Sequence, residues 1–419
     1  MSFYDNPISD AGLAWLAAED SPLVGVTELN LCATQIADEG LAAIAAKHSP
    51  FGALTELYLT STAVTDSGIA HIAAKDSCLV NLSVLSLDTT QILDASLMAL
   101  ANSDSPLGAL RALYLGGTAV SDLGLSALCA RHSPLGNIRV LDLFGTSITD
   151  VGLAALAAAN SPLKAITQLK LLGTKITDAG LAVIAATDSS LAALTELDVT
   201  ATRVTGAGVA AMCAKDSPLR NLRRLDLDNL CDMDAGLAAL ASNDSPLVAL
   251  EILNLEDAQV TDLGLAALAA SNSPLKSIKT LFLRGTRVTD AGMAALTAKD
   301  SSLAGLLHLT LARTAVTDAG FAALAAKGSS QTALSKLDLR HTRISDVGVA
   351  ALAAKDSALT NLRHLDLCAT AVTDDGVSHL VDVDSPLTAL DYLNIEWTKV
   401  SHVGDAFLKS QRPGMKVWR

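Results

Sequence analysis

A parallel α/β solenoid, with strands on a concave side and helices on a convex side, is the fold this sequence predicts, and three observations predict it. Leucine recurs at an unvarying interval of 28 residues, from Leu29, Leu57 and Leu85 through to Leu365 and Leu393, fourteen times without insertion or deletion. Around each of these leucines the pattern alternates as x-L-x-L-x, the period of a strand with one face buried. Each alternating run is then followed by Thr or Asp, and by Leu and Ala at helical spacing. No unit of this length closes a core alone, so stability must come from stacking neighbours.

Within one unit, LxxLxLxx is the strand and its exit. The phrase that follows opens the helix, as in TKITDAGL (174–181), TRVTDAGM (286–293) and TAVTDAGF (314–321). Asp or Thr there suits an N-cap, its side-chain oxygen accepting a bond from a free backbone N–H. Ser-Pro after the last alanine stops the helix. Equivalent strand positions should lie side by side, about 4.8 Å apart. Residues 1–28, in which NPISDAGL (6–13) matches the phrase, and residues 401–419 are truncated copies. The fourteen repeats counted from the strand leucine, Leu29 to Leu393, are placed in residues 29–400, and the whole of 1–419 is expected to form a single repeat domain. At the ends, MSFYDNPI should cover the first repeat as a half-strand with Phe3 inward. MKVWR should close the last, with Met415 or Val417 on Leu393 and Ile395. Trp15 stands where later units have Ala and is expected to cover the open flank of the first helix.

LxxLxLxx followed by a polar residue, in fourteen in-register copies, resembles the leucine-rich repeat superfamily over essentially the whole chain. The repeat length looks like the ribonuclease-inhibitor-like class. ITDAGLAVIA (176–185) is similar to the cysteine-containing class found beside F-box domains. The resemblance implies a right-handed horseshoe and a habit of binding protein partners. One departure is that the usual Asn or Cys after LxL is mostly Thr here.

Composition narrows the function classes. Half the residues are hydrophobic and mean hydropathy is +0.39, yet no uninterrupted apolar run of about 18 residues exists to span a membrane. MSFYDNPISDAG has neither the basic nor the apolar region of a signal peptide. The six cysteines form no CxxC pair and no cap framework, which points to a cytoplasmic protein, or to one delivered into a host cytosol. A net charge of −14 argues against nucleic-acid and membrane-surface partners. No phosphate-binding, zinc-protease or nucleophile-elbow motif is present, so neither enzyme activity nor a cofactor is expected. The best catalytic constellation is His341 beside Cys368, with Asp338 and Asp366 close by, on an open sheet without a pocket. Asp226, Asp228 and Glu256 are the best metal candidates, but parallel neighbours rarely converge on one ion without a loop, and no metal is expected.

Function is therefore expected at the free positions of the strand face. Six of the thirteen aromatic residues (6 Phe, 4 Tyr and 3 Trp), Tyr58, Tyr114, Phe144, Phe282, Tyr392 and Trp397, fall there, against about two by chance. Strands favour aromatics, and exposed aromatics on a polar face are also what binding hot spots look like. Charge is sorted along the same face. An apolar zone with Gly116, Gly117, Gly145 and Gly173 leaving space is followed by Glu196, Asp198, Asp226, Asp228, Glu256 and Asp257, then by Arg284, Arg313, Lys336 and Arg340 with His308, His341 and His364. Asp198 and Asp226 occupy equivalent slots, as do Asp228 and Glu256. Like charges kept side by side suggest a protein partner with a basic segment. The expected function is a protein-binding scaffold, monomeric rather than oligomeric. The alternatives are a recognition subunit or effector within a larger complex, such as a substrate receptor of a ubiquitin ligase, and a self-associating structural protein.

One repeat breaks the phrase. At 230–237 it reads LCDMDAGL, with Leu230 for Thr and Asp232 for the apolar Val or Ile. A lone buried Asp would cost several kcal/mol. The loop is therefore expected to re-route, with Asp232 outward and Met233 and Leu230 filling the vacated apolar slot.

Overall fold

A three-residue strand centred on the periodic leucine begins every repeat of the computed structural model, which describes residues 1–419. The chain divides into two compact units, residues 1–203 with 216–221, and residues 204–215 with 222–419. The first holds β1 (Glu28–Asn30), β2 (Glu56–Tyr58), β3 (Val84–Ser86), β4 (Ala112–Tyr114), β5 (Val140–Asp142), β6 (Gln168–Lys170) and β7 (Glu196–Asp198). The second holds β8 (Arg224–Asp226), β9 (Ile252–Asn254), β10 (Thr280–Phe282), β11 (His308–Thr310), β12 (Lys336–Asp338), β13 (His364–Asp366), β14 (Tyr392–Asn394) and β15 (Lys416–Trp418). Within each unit successive strands pair in parallel, leucine against leucine, as in Leu29 with Leu57 and Leu281 with Leu309. The alternation thus does what its period requires: one leucine row is buried and the flanking residues face outward. In one typical repeat Leu281, Leu283, Val288, Met293 and Leu296 are all fully buried, each side chain contributing about 1.5–3 kcal/mol on leaving water.

The exit from each strand explains the threonine. The residue two places past the second leucine pair turns through the left-handed region, for example Ala33 (φ 55), Gly117 (φ 67) and Arg313 (φ 56). The next residue is the buried Thr, whose hydroxyl donates back to the leucine carbonyl three residues earlier: Thr118 to Leu115 at 2.6 Å, Thr286 to Leu283 at 2.6 Å. Thr satisfies itself within its own turn, so a buried polar group costs nothing there.

The helix phrase does something the sequence alone does not suggest. Of the two residue types expected to cap, Thr (or Ser) rather than Asp is the N-cap of most helices, Ala37, Leu93 and Met233 being exceptions; its oxygen accepts from the amide two residues on, as Thr289 does from Ala291 at 3.2 Å. The following Asp, however, binds the next repeat. Asp290 Oδ1 accepts from the amide of Thr317 at 2.8 Å and of Gly320 at 3.0 Å, and Oδ2 accepts from the Thr317 hydroxyl at 2.6 Å. The same rung recurs from Asp122 to Thr149 and Gly152 in the first unit and from Asp262 to Thr289 and Gly292 in the second. Gly320 is glycine because a Cβ there would lie 2.5 Å from Asp290 Oδ1. T-D-x-G is therefore a ladder of carboxylates stitching helix starts together, each rung a set of charge-assisted hydrogen bonds. Asp374, at the last rung, has its carboxyl held below the usual value by the Ser401 hydroxyl and amide.

The exceptional repeat is where the ladder breaks. Residue 206, which should be Asp, is glycine, and the facing loop carries LCDM. Asp232 is exposed with φ 52, while Met233 and Leu230 are buried, as the sequence predicts. The loop shifts by two residues: the amide of Gln259 meets the carbonyl of Leu230 at 2.8 Å, whereas in the regular repeat Arg287 meets Val260. The Asp232 carbonyl swings toward residue 206, and Gly236 comes so close that a Cβ on it would lie 2.7 Å from the Gly206 carbonyl oxygen. Backbone against backbone replaces the carboxylate rung.

The ends match expectation in part. Ser2 bridges Asn30 in parallel, and the Phe3 amide donates to the Asn30 carbonyl at 2.7 Å, making the half-strand; Phe3 is half-buried. At the other end Val417 aligns with Leu393 and Met415 is buried. Trp15 corrects the expectation: it is 77% exposed and covers little of the first helix. Packing at that end is carried by Leu13, which is fully buried.

Candidate functional site

On the outward row of each strand the residues stop repeating. In the first unit Tyr58 donates to Glu56 Oε2 at 2.7 Å, and this bond, with burial next, pushes its phenol up to about 12. The pair favours neutral Tyr58 in the folded chain, so its stabilisation is complete below the ordinary tyrosine range and fades as pH rises through about 12. A spectrophotometric titration should find a late-ionising tyrosine that moves to lower pH in Glu56→Gln. An unshifted curve in both proteins would contradict the pairing. Tyr114 is half-buried, and Phe144, 47% exposed, lies over Gly116, where a Cβ would sit 3.2 Å from its ring. That is the space the glycines were expected to leave. Glu196 accepts from Gln168 at 2.9 Å, and Asp198 accepts from the Thr200 amide at 2.9 Å.

The second unit redistributes its charges. Asp226 is buried and gripped by Arg224 of its own strand at 2.7 and 3.0 Å. Asp228 accepts from Asn254 at 3.1 Å. Glu256 and Asp257 share Arg284 at 3.5 and 3.7 Å. Arg340 holds Asp338 at 2.7 Å and reaches Asp366 at 3.7 Å. The acidic and basic zones are thus interleaved by short-range pairs, because residues two apart on a strand share a face. Of the three metal candidates, Asp226 is turned to the Arg224 guanidinium, Asp228 to the Asn254 amide and Glu256 to Arg284. Arg313 and Trp397 sit at the left-handed exit position and are exposed, Trp397 at 86%. Glu396, beside Trp397, accepts no arginine among the ion pairs of its strand.

His341 and Cys368 meet only through backbone, the His341 amide donating to the Cys368 carbonyl at 3.0 Å. Burial, then Asp366 and Glu396, push the Cys368 thiol up, the opposite of what a nucleophile needs.

The sequence did not single out a hollow over β10 to β14. A cavity of about 360 Å³ opens on this face, walled by Phe282 and Tyr392 and lined by His308, Thr310, Lys336, Asp338, His364 and Asp366. His364 stacks on Tyr392 with ring centroids 5.4 Å apart. Burial, then Lys336 and His364, lowers the His308 pKa; burial foremost raises that of Asp366. The signal was present in the sequence as three basic types, His308, Lys336 and His364, in the same slot of consecutive repeats.

A repeated strand-and-helix unit with an open, variable strand face defines the class. Residues 137–157, 250–269 and 331–353 match the family model described as Leucine Rich repeat. Among solved structures the fold is similar to an internalin (inlF) from Listeria monocytogenes, at 19% identity over 94% of this chain and 87% of that one, with a TM-score of 0.50. It is similar as well to a leucine-rich repeat protein of Leptospira interrogans, at 15% identity over 94% and 89%, with a TM-score of 0.52. No curated protein matches significantly in sequence. Three segments of the chain thus match the leucine-rich repeat model, and its fold is similar to that of leucine-rich repeat proteins. Folds of this kind generally serve as protein-interaction scaffolds. No helix is long and apolar enough to cross a membrane.

Proposed function

We propose that the chain is a non-catalytic scaffold that grips a protein partner on its strand face, with Tyr114 and Phe144 as anchors in the first unit and Phe282 and Tyr392 in the second. The observation that carries this reading is where the repeat stops repeating. Turns, ladders and core recur from unit to unit, whereas the outward strand row carries aromatics and, over β10 to β14, a hollow. Aromatics set among polar neighbours are the usual energetic centres of interfaces. A basic partner segment would compete with Arg224 and Arg284 for the acids of the second unit, so aromatic anchoring contributes more than bulk attraction. The six free cysteines fit a reducing compartment such as the cytosol. A partner-bearing assembly, in which this chain is the recognition subunit, is the same reading with the activity placed in another chain.

The test uses the whole chain as bait in three forms: unaltered, Phe282→Ser with Tyr392→Ser, and Leu123→Ser with Val151→Ser on exposed helix positions. Loss of two hot-spot aromatics should weaken retention of a specific partner by about tenfold or more, and the helix-side variant should retain it. Equal retention by all three forms would overturn the reading. Self-association is the competing reading that the exposed Trp15 and Trp418 favour, at 77% and 56%. Light scattering over a range of concentrations should give a constant monomer mass if the scaffold reading is right.

A further inference from the structure

Resting on that reading, we infer that the row His308, Lys336 and His364 docks an acidic segment of the protein partner, and that pH sets the strength of this contact. The three side chains occupy one slot on β11, β12 and β13, in direct register. Lys336 is exposed between the imidazoles and holds no ion pair. His308 Nδ1 has only the Thr280 hydroxyl, at 3.4 Å. His364 Nδ1 has no hydrogen bond and lies 3.8 Å from Asp391, which Arg363 holds at 3.6 Å.

The charges facing the two imidazoles decide the sign. They are Lys336, Asp338 with Arg340, Asp366, and Asp391 with Arg363; the Thr280 hydroxyl and the Tyr392 ring complete the surroundings. Arg340 lies against both Asp338 and Asp366, so the carboxylates of the neighbouring row do not oppose an incoming anion freely. With neutral imidazoles the cations and carboxylates of this patch balance. Protonating both leaves two uncompensated positive charges, which a carboxylate partner would neutralise. Burial and the two neighbouring cations lower the His308 pKa, so the free site resists charging until pH falls, and an acidic ligand would draw the proton on.

The occupant is a segment, not a lone ion. The row spans about 10 Å across two strand spacings, which one small anion cannot fill. Two carboxylates at i and i+2 of an extended segment, on one face and about 6.5–7 Å apart, can reach it. Phe282 and Tyr392 at the two ends of the hollow offer apolar walls for the residue beside them.

The probe is the peptide acetyl-GEFEG-amide, with acetyl-GQFQG-amide and inorganic phosphate alone as the other arms, followed by NMR of the histidine and tyrosine ring signals of the full chain. We expect GEFEG to move His308, His364 and Tyr392 signals, and to bind about tenfold more tightly at about pH 5.5 than at about pH 8. Lys336→Gln should weaken binding and keep the pH dependence; His308→Gln with His364→Gln should remove it, with circular dichroism showing both variants folded. Equal binding of GQFQG, phosphate binding as tightly as the peptide, or an affinity indifferent to pH would overturn the inference. If GEFEG fails while partner retention still depends on Phe282 and Tyr392, the acidic dock falls and the scaffold reading stands.

Discussion

Replacing Asp290 by Ala should destabilise the second unit by about 2–4 kcal/mol, because it removes a charged acceptor from three donors at once. The amides of Thr317 and Gly320 and the Thr317 hydroxyl would lose their partner, and the Gly320 position is buried. Asp290→Asn keeps one carbonyl oxygen but turns an amide toward the hydroxyl, so it should cost less. Asp300, an exposed acid of the same repeat, supplies the control, and Asp300→Ala should change stability by less than about 0.5 kcal/mol. Urea unfolding followed by circular dichroism reads all three. Similar midpoints for Asp290→Ala and Asp300→Ala would remove the ladder from the account of stability.

The second large effect runs against the usual value of consensus. Every regular repeat has Asp where the chain has Gly206, so Gly206→Asp would restore the phrase. It should nonetheless destabilise by about 3 kcal/mol or more, since any Cβ there runs into the Asp232 carbonyl oxygen and crowds the Gly236 amide, both backbone atoms that cannot step aside. Changing the facing loop as well, by Leu230→Thr, Cys231→Arg, Asp232→Val and Met233→Thr, should recover most of the loss by rebuilding the Asp-to-Thr rung. The two changes should therefore be strongly non-additive. A stabilising Gly206→Asp, or an additive combination, would show that the loop and the glycine are unrelated irregularities.

These two regions show what a single sequence discloses. Strand, helix and the stacking of repeats were legible because leucine spacing and alternation are local periodicities that one chain displays in full. The outward turn of Asp232 followed from the cost of burying a charge, and the half-strand at Ser2 and Phe3 from the need to cover an end. The ladder was not legible, because Asp and Thr next to one another both read as capping residues, and nothing local says that the carboxylate crosses to the next repeat. Its signal was the glycine that stands two places after the aspartate in every repeat but one, where Ser96 follows Asp94. The link between Gly206 and residues 230–233 was written as two departures one repeat apart. Charge zoning summed signs along the chain and did not disclose that Arg224 with Asp226 and Arg340 with Asp338 pair two residues apart on one face. Trp15 was given a covering role on position alone, and position does not fix which way a ring points.

The central claim is that variation on the strand face is what a partner reads. Hydroxyl-radical footprinting of the whole chain, free and bound to a partner retained by it, tests this most directly. The account predicts protection of Phe144, Phe282, Tyr392 and Trp397 on binding, with Leu123, Val151 and Val347 on the helices staying as reactive as in the free chain. Protection of those helix residues with the strand-face aromatics unchanged would contradict it.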